Sequence, residues 1–419
     1  MKREINYERT KLLQCLFVTY YPFGYKPPVQ IITEKNGLVF IQTTRGKFAK
    51  FFSLVSILCL SVAWFFCGIA LVIVASESET YYKMASNPQV WTWFVGTLLA
   101  LCGTIAYKVW IVDGVDASVK MANELISLER EVVTELPNIH QTCESSSSRF
   151  QPSNWLIFIS YFTPPILLIS AIIAGGEPFI FIVKHFLKLD PICNLINKTW
   201  SRLPTYGKAF QIIVTPIILW PTYNFVMYEL VRIMLFCFFA AVNVAGKTFC
   251  ILESLQKRVL HKNGVFLHKQ CYSRVRIISQ SVDSAVKLSV LLMITSLAMI
   301  ISTSAFIVIR LHGQYSTGML VIDGIGAVGF LFLVDVLLTL CGRCDSMCRN
   351  YLRCCKNPEL LGEMSRQERK VYLREVESLP KLIVAAGLGQ FRLTNITKDN
   401  KAILLFYLGE HIVNVLIAF

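Results

Sequence analysis

Glu410, His411 and Asn414 are the side chains whose chemistry is least expected where they stand. They lie in Ala402–Phe419, AILLFYLGEHIVNVLIAF, an apolar run of about 18 residues. As a helix it is roughly 27 Å long, enough to cross the hydrocarbon core of a bilayer. A carboxylate or amide is costly there unless it faces protein or water. One turn separates Glu410 from Asn414, and three residues separate His411 from it, so the three can share a face. Repeated around a symmetry axis, each would form a ring, and acidic or amide rings suit cations. The blander use of such groups is a polar contact between helices of one subunit.

Other chemistry-bearing residues are scattered. Asp323 and Asp335 sit in an apolar stretch and call for partners, with Arg310 and Lys287 near its ends. A buried ion pair or cavity wall is the expected role; an ion pathway is the sharper alternative. Trp64, Trp93, Tyr161, Phe162, Trp220 and Tyr223 lie in the middle or outer parts of four apolar runs. Aromatic walls of this kind suit sugars, amines or other small organic ligands; most aromatics simply pack. Cys341, Cys344, Cys348, Cys354 and Cys355 form a run whose CGRC opening lacks a second spaced pair or histidine for zinc. Cysteines among arginines beside a membrane read better as lipidation sites. No phosphate-cradling glycine loop, HExxH or nucleophile with a base is present, so neither an enzyme nor a cofactor is expected. The run Asp323–Gly329, DGIGAVG, suits close helix packing.

The elements that must position these residues follow from composition. With 419 residues, 54% hydrophobic and 16% charged, the chain is too apolar for a soluble globule of its size. Seven spans are expected: 51–74, 90–112, 155–173 with Pro164-Pro165 in its middle, a long fourth over 209–244, 288–309, 319–340 and 402–419. Between them, 1–50 is a mixed basic segment able to lie at the membrane surface. Residues 113–152 begin as a helical extension of the second span, 174–208 form a loop, and 245–287 and 341–401 are basic and hydrophilic. The class expected is an all-α polytopic membrane protein.

Orientation follows from Lys and Arg. With a cytoplasmic N-terminus, 33 of the 41 fall inside and 7 outside, Arg232 lying within the fourth span. That bias places the N-terminus in the cytoplasm and, after seven crossings, the C-terminus outside. Basic loops beside anionic lipid account for the net charge of +14, so nucleic acid is not an expected partner. The Asn197-Lys198-Thr199 sequon then faces outward, where glycosylation is possible, and Asn395-Ile396-Thr397 faces inward. Seven spans with the N-terminus inside is the reverse of a G-protein-coupled receptor, and no DRY-like or NPxxY-like pattern is found.

Inverted seven-span topology, a long fourth helix and most of the soluble mass in the last two inner segments resemble the insect gustatory and odorant receptor superfamily. Nematode gustatory-receptor-like members include a light-sensing branch. The local match is Ala385–Asn395, AAGLGQFRLTN, similar to the family's small-Gly-hydrophobic-Phe-x-Leu-Asn stretch before the last helix. The family's signature within that helix is Thr-Tyr, five hydrophobics, Gln-Phe. Here His411 stands for the threonine, Ile412 for the tyrosine and Ala418 for the glutamine, while Phe419 is kept. The resemblance implies a homo- or heterotetrameric cation channel gated by a tastant-like small molecule, light or an oxidant, in the plasma membrane of sensory neurons. Four copies of 402–419 would line the pore, with Val415 or Leu416 as gate. Segment 341–401 would help anchor the subunits, and 51–340 would hold the ligand pocket. Alternatives are a non-conducting regulatory subunit, a photoreceptor-like member, and a secondary transporter. A transporter would carry internal repeats, and no similarity between halves is seen.

Overall fold

The computed structural model describes residues 2–23, 28–33, 39–43, 49–134, 154–173, 178–187, 204–260, 267–314, 317–362 and 364–418. The chain opens with α1 (Lys2–Gln14), prolonged by a π-helical turn, Cys15–Thr19. An antiparallel hairpin follows, β1 (Val29–Thr33) against β2 (Val39–Thr43), with Ile31 opposite Ile41. The helices after it are α2 (Ala49–Glu77), α3 (Pro88–Tyr107), α4 (Val115–Thr134), α5 (Asn154–Ile173), α6 (Pro178–Leu187), α7 (Pro204–Leu260), α8 (Leu267–Gln280), α9 (Asp283–Arg310), α10 (Thr317–Cys354) and α11 (Arg366–Ser378). A second hairpin, β3 (Ala385–Leu388) and β4 (Phe391–Asn395), leads into α12 (Lys398–Ala418).

Among the described residues, six helical stretches are long and apolar enough to cross a membrane: Leu54–Glu77, Pro88–Asp113, Asn224–Val259, Asp283–Arg310, Gly326–Gly362 and Lys398–Ala418. The third expected span appears as α5, 20 residues with Pro164 and Pro165 inside the helix, and contributes the shorter apolar stretch Ile157–Ile166. The long fourth span is one helix of 57 residues, about 85 Å end to end.

Three points refine the expectations. The chain is mostly helical, not all-α, because both hairpins interrupt it. In β3–β4 the turn rests on Gly389 at φ 57°, a left-handed conformation that favours glycine. A Cβ on Gly387 would stand 2.0 Å from the Phe391 carbonyl oxygen. Second, the start of the chain packs against the bundle. Leu13 and Phe17 are buried against Ile157 of α5 and Leu235 and Phe239 of α7, because their apolar face finds a groove between those helices. Third, the segment after the second span is not a plain extension. It passes through a π-helical turn, Lys108–Asp113, and breaks at Gly114 before α4.

At one end of the bundle the hydrophilic helices gather into a polar head. Leu128 and Val132 of α4, Ile251 and Leu255 of α7, Tyr272 of α8, Tyr351 of α10, and Tyr372 and Val376 of α11 form its core. Tyr272 stacks on Tyr351 at 4.9 Å. Ser365 caps α11 through a reciprocal capping box with Glu368, so the helix starts at a defined residue. This head fixes the base from which α12 departs.

Candidate functional site

α12 begins where Thr397 accepts from the backbone N–H of Asn400 at 3.2 Å, and Asn400 Nδ2 donates to the Asn395 carbonyl at 2.8 Å. Asp399 in the first turn suits the positive end of the helix dipole. One face packs within the chain. Leu404, Leu405, Leu408 and Ile412 lie against α9 and α10, and Val415 and Leu416 meet Phe306 and Ile307 of α9. Arg310 Nη2 donates to the Leu416 carbonyl at 3.0 Å, a cation at the helix C-terminus.

The opposite face is uncovered in the single chain. Glu410, His411 and Asn414 are all exposed, with Glu410 and Asn414 one turn apart. Between and around them stand Ile403, Phe406, Val413 and Ile417, the last 74% exposed. The helix is thus apolar on both sides but carries its polar groups on one. The expected gate residues, Val415 and Leu416, are turned into the protomer's own bundle, because a 3.6-residue period puts them with Leu408 and not with Glu410. Phe406, Val413 and Ile417 are the apolar side chains on the polar face, which helical periodicity alone could have named. Phe419 lies outside the described residues.

The two aspartates have different surroundings. Asp335 Oδ1 is 2.6 Å from Lys401 Nζ. Asp323 Oδ2 is buried with no hydrogen-bond partner among the described residues. Neither is paired with the basic residues expected from sequence: Lys287 pairs with Asp283 on its own helix, and Arg310 caps α12.

The aromatic candidates do not form one wall. Trp93 is buried among Ala70, Ile73, Val74 and Ile182, its ring 4.7 Å from Phe181 of α6. Trp64 is half-buried, edge-on to Phe65 at 6.4 Å, and its indole Nε1 is buried without a hydrogen-bond partner among the described residues. Tyr161 belongs to a separate cluster on α5, donating to the Tyr20 carbonyl at 2.6 Å, and Phe162 beside it is exposed. The side chains of Trp220 and Tyr223, and the whole of Asn197, lie outside the described residues.

Cys341, Cys344, Cys348 and Cys354 lie in the last turns of α10, and Cys355 follows directly. Cys348 and Cys355 are fully buried in the head. Cys348 Sγ accepts from the Leu382 N–H at 3.3 Å and lies 2.9 Å from Tyr272 Oη. Acylation of these two thiols would require the head to open. Cys341, Cys344 and Cys354 are half-buried.

Beside this thiol row, His268 is buried with Nδ1 2.7 Å from Tyr351 Oη. Burial, then the Lys269 and Arg258 charges, push its pKa down to about 4. Nothing in the sequence pointed to this histidine. A buried pair was also missed: Glu229 and Arg232 of α7, 2.5 Å apart. Its signal was available, as opposite charges three residues apart inside an apolar run.

No protein-family model and no curated protein sequence matches the chain. Its fold nonetheless matches that of the insect olfactory receptor OR5 from Machilis hrabei, with a TM-score of 0.56 over 98% of this chain and 97% of that one, at 13% identity. The chain thus shares the fold of that olfactory receptor, in keeping with the resemblance read from the sequence.

Proposed function

We propose that this chain, built on the fold of an insect olfactory receptor, is a chemosensory receptor that opens a cation path when a small organic ligand or comparable stimulus binds. The reading is of the gustatory type: seven crossings, a cytoplasmic head, and α12 running outward beside a water-filled axis shared by four subunits. The observation that carries it is the polar face of α12. Glu410 at mid-helix would cost about 3 kcal/mol against lipid. Turned to an axis it meets water and cations instead, with Asn414 forming a second polar level and Phe406, Val413 or Ile417 narrowing the path. The Lys and Arg asymmetry, 33 against 7, supports the head as cytoplasmic.

In this mechanism the stimulus acts on the bundle α2–α10, and its only energy is its differential affinity for two states. α12 moves with α9 and α10, to which Leu408, Ile412 and Val415 bind it. Surface expression in a sensory neuron, glycosylation at Asn197, and lipidation at Cys341, Cys344 or Cys354 belong to the same proposal. The test is whole-cell recording from a null cell expressing the chain, during a screen of tastants, light and peroxide. A stimulus-evoked cation current is expected; substrate uptake without current would instead favour a transporter.

A further inference from the structure

We propose that the segment Leu13–Phe23 is a latch that binds the N-terminal half of α5 to α7 as one unit and leaves the half beyond Pro164-Pro165 independent. The segment touches both helices. Towards α5, Phe17 meets the Tyr161 ring edge-on at 5.6 Å, and the Tyr20 carbonyl accepts from Tyr161 Oη at 2.6 Å. Towards α7, Tyr21 Oη donates to Glu229 Oε1 at 2.5 Å. Arg232 Nη2 lies 2.5 Å from that same oxygen, and its guanidinium carbon sits 4.1 Å above the Tyr21 ring.

The chemistry makes this contact strong. The Glu229 and Arg232 side chains are 0% and 3% exposed. A buried ion pair is stable only where further hydrogen bonds and contacts satisfy both partners. Tyr21 provides both, an O–H for the carboxylate and a ring face for the guanidinium. If the segment withdraws, the pair loses these inside an apolar wall, and Ile157, Leu235 and Phe239 lose the side chains that cover them.

The prolines set where the latched unit ends. Pro164 and Pro165 have no N–H to give to the carbonyls of Ser160 and Tyr161, so α5 is weakest one turn beyond its grip on Tyr20. The clamped half is Asn154–Thr163, and the helix can bend immediately after it.

Hydrogen exchange of the full chain in lipid nanodiscs tests this. Tyr21→Phe removes one hydroxyl and leaves the packing. Exchange should rise about tenfold in both 13–23 and 154–163, as expected for losing a hydrogen bond to a charged group. It should not change in 166–173 or in α11. Glu229→Gln should give the same pattern more strongly. Leu252→Ala, in the head, should loosen α11 without linking the two latch segments. A rise in 13–23 alone, no change with either latch variant, or a rise spread equally to 166–173 and α11 would overturn the latch.

Discussion

Lys401 Nζ lies 2.6 Å from both Asp335 Oδ1 and Thr339 Oγ1, so the first turn of α12 is tied to α10 by one cation. If α12 lines the ion path and the bundle senses the stimulus, as proposed, this tie joins the two. The pair is partly solvated, and such pairs contribute about 0.5–1 kcal/mol. Lys401→Met and Asp335→Asn should each shift the midpoint of the stimulus–response curve by about two- to fivefold in the same direction. The double variant should shift it no further than either single one. Additive shifts in recorded currents would show that the two residues act separately.

The two faces of α12 should respond differently to truncation. Leu416 packs on Phe306 and Ile307, so Leu416→Ala should cost roughly 1–3 kcal/mol of stability in thermal unfolding of the purified protein. Ile417 touches little within the chain, and Ile417→Ala should change the unfolding of the single chain by less than about 0.5 kcal/mol. Equal losses would mean the helix is rotated from the position described.

The turn before α12 should be intolerant of a side chain. Gly387→Ala puts a Cβ against the Phe391 carbonyl, which the bulge between Ala386 and Gly387 leaves no room to avoid. A loss of roughly 2–3 kcal/mol is expected. Alanine at Gly362, which has open space around it, should be near neutral. Comparable unfolding midpoints for the two variants would contradict the hairpin.

His268 gives the head a pH dependence whose sign is fixed. Its folded pKa, about 4, lies below the unfolded value of about 6.5. Above pH 6.5 the ring is neutral in both states. As pH falls the unfolded chain takes up the proton first, so stability drops by about 1.4 kcal/mol per pH unit towards pH 4. Thermal unfolding between pH 7.5 and 5.5 should therefore weaken more in the wild type than in His268→Gln. Parallel curves would show that the ring protonates within the fold.

Hydropathy made the scaffold legible. Long apolar runs must be helices in lipid, and the position of the fourth helix and of the pair Pro164-Pro165 followed from that rule. The polar face of α12 was legible as well, because Glu410 and Asn414 stand out against their neighbours. Periodicity also places Val415 and Leu416 on the face of Leu408, where they pack on Phe306 and Ile307. The first hairpin carried a local signal too, the β-branched runs VQIIT and VFIQT around an Asn-Gly pair. Other contacts had no local trace. Lys401 meets Asp335, Tyr21 meets Glu229, and Cys348 accepts from Leu382 only because distant segments converge, which one sequence does not encode at any fixed spacing.

The most direct measurement places a reactive group on each face of α12 while current flows. A charged methanethiosulfonate reagent would be applied to Glu410→Cys and to Leu408→Cys during stimulus-evoked recording, with the wild type as baseline. Block of the Glu410→Cys current and none of the Leu408→Cys current is the result expected if the face carrying Asn414 meets water. Block at 408 with none at 410 would contradict an ion path along this helix.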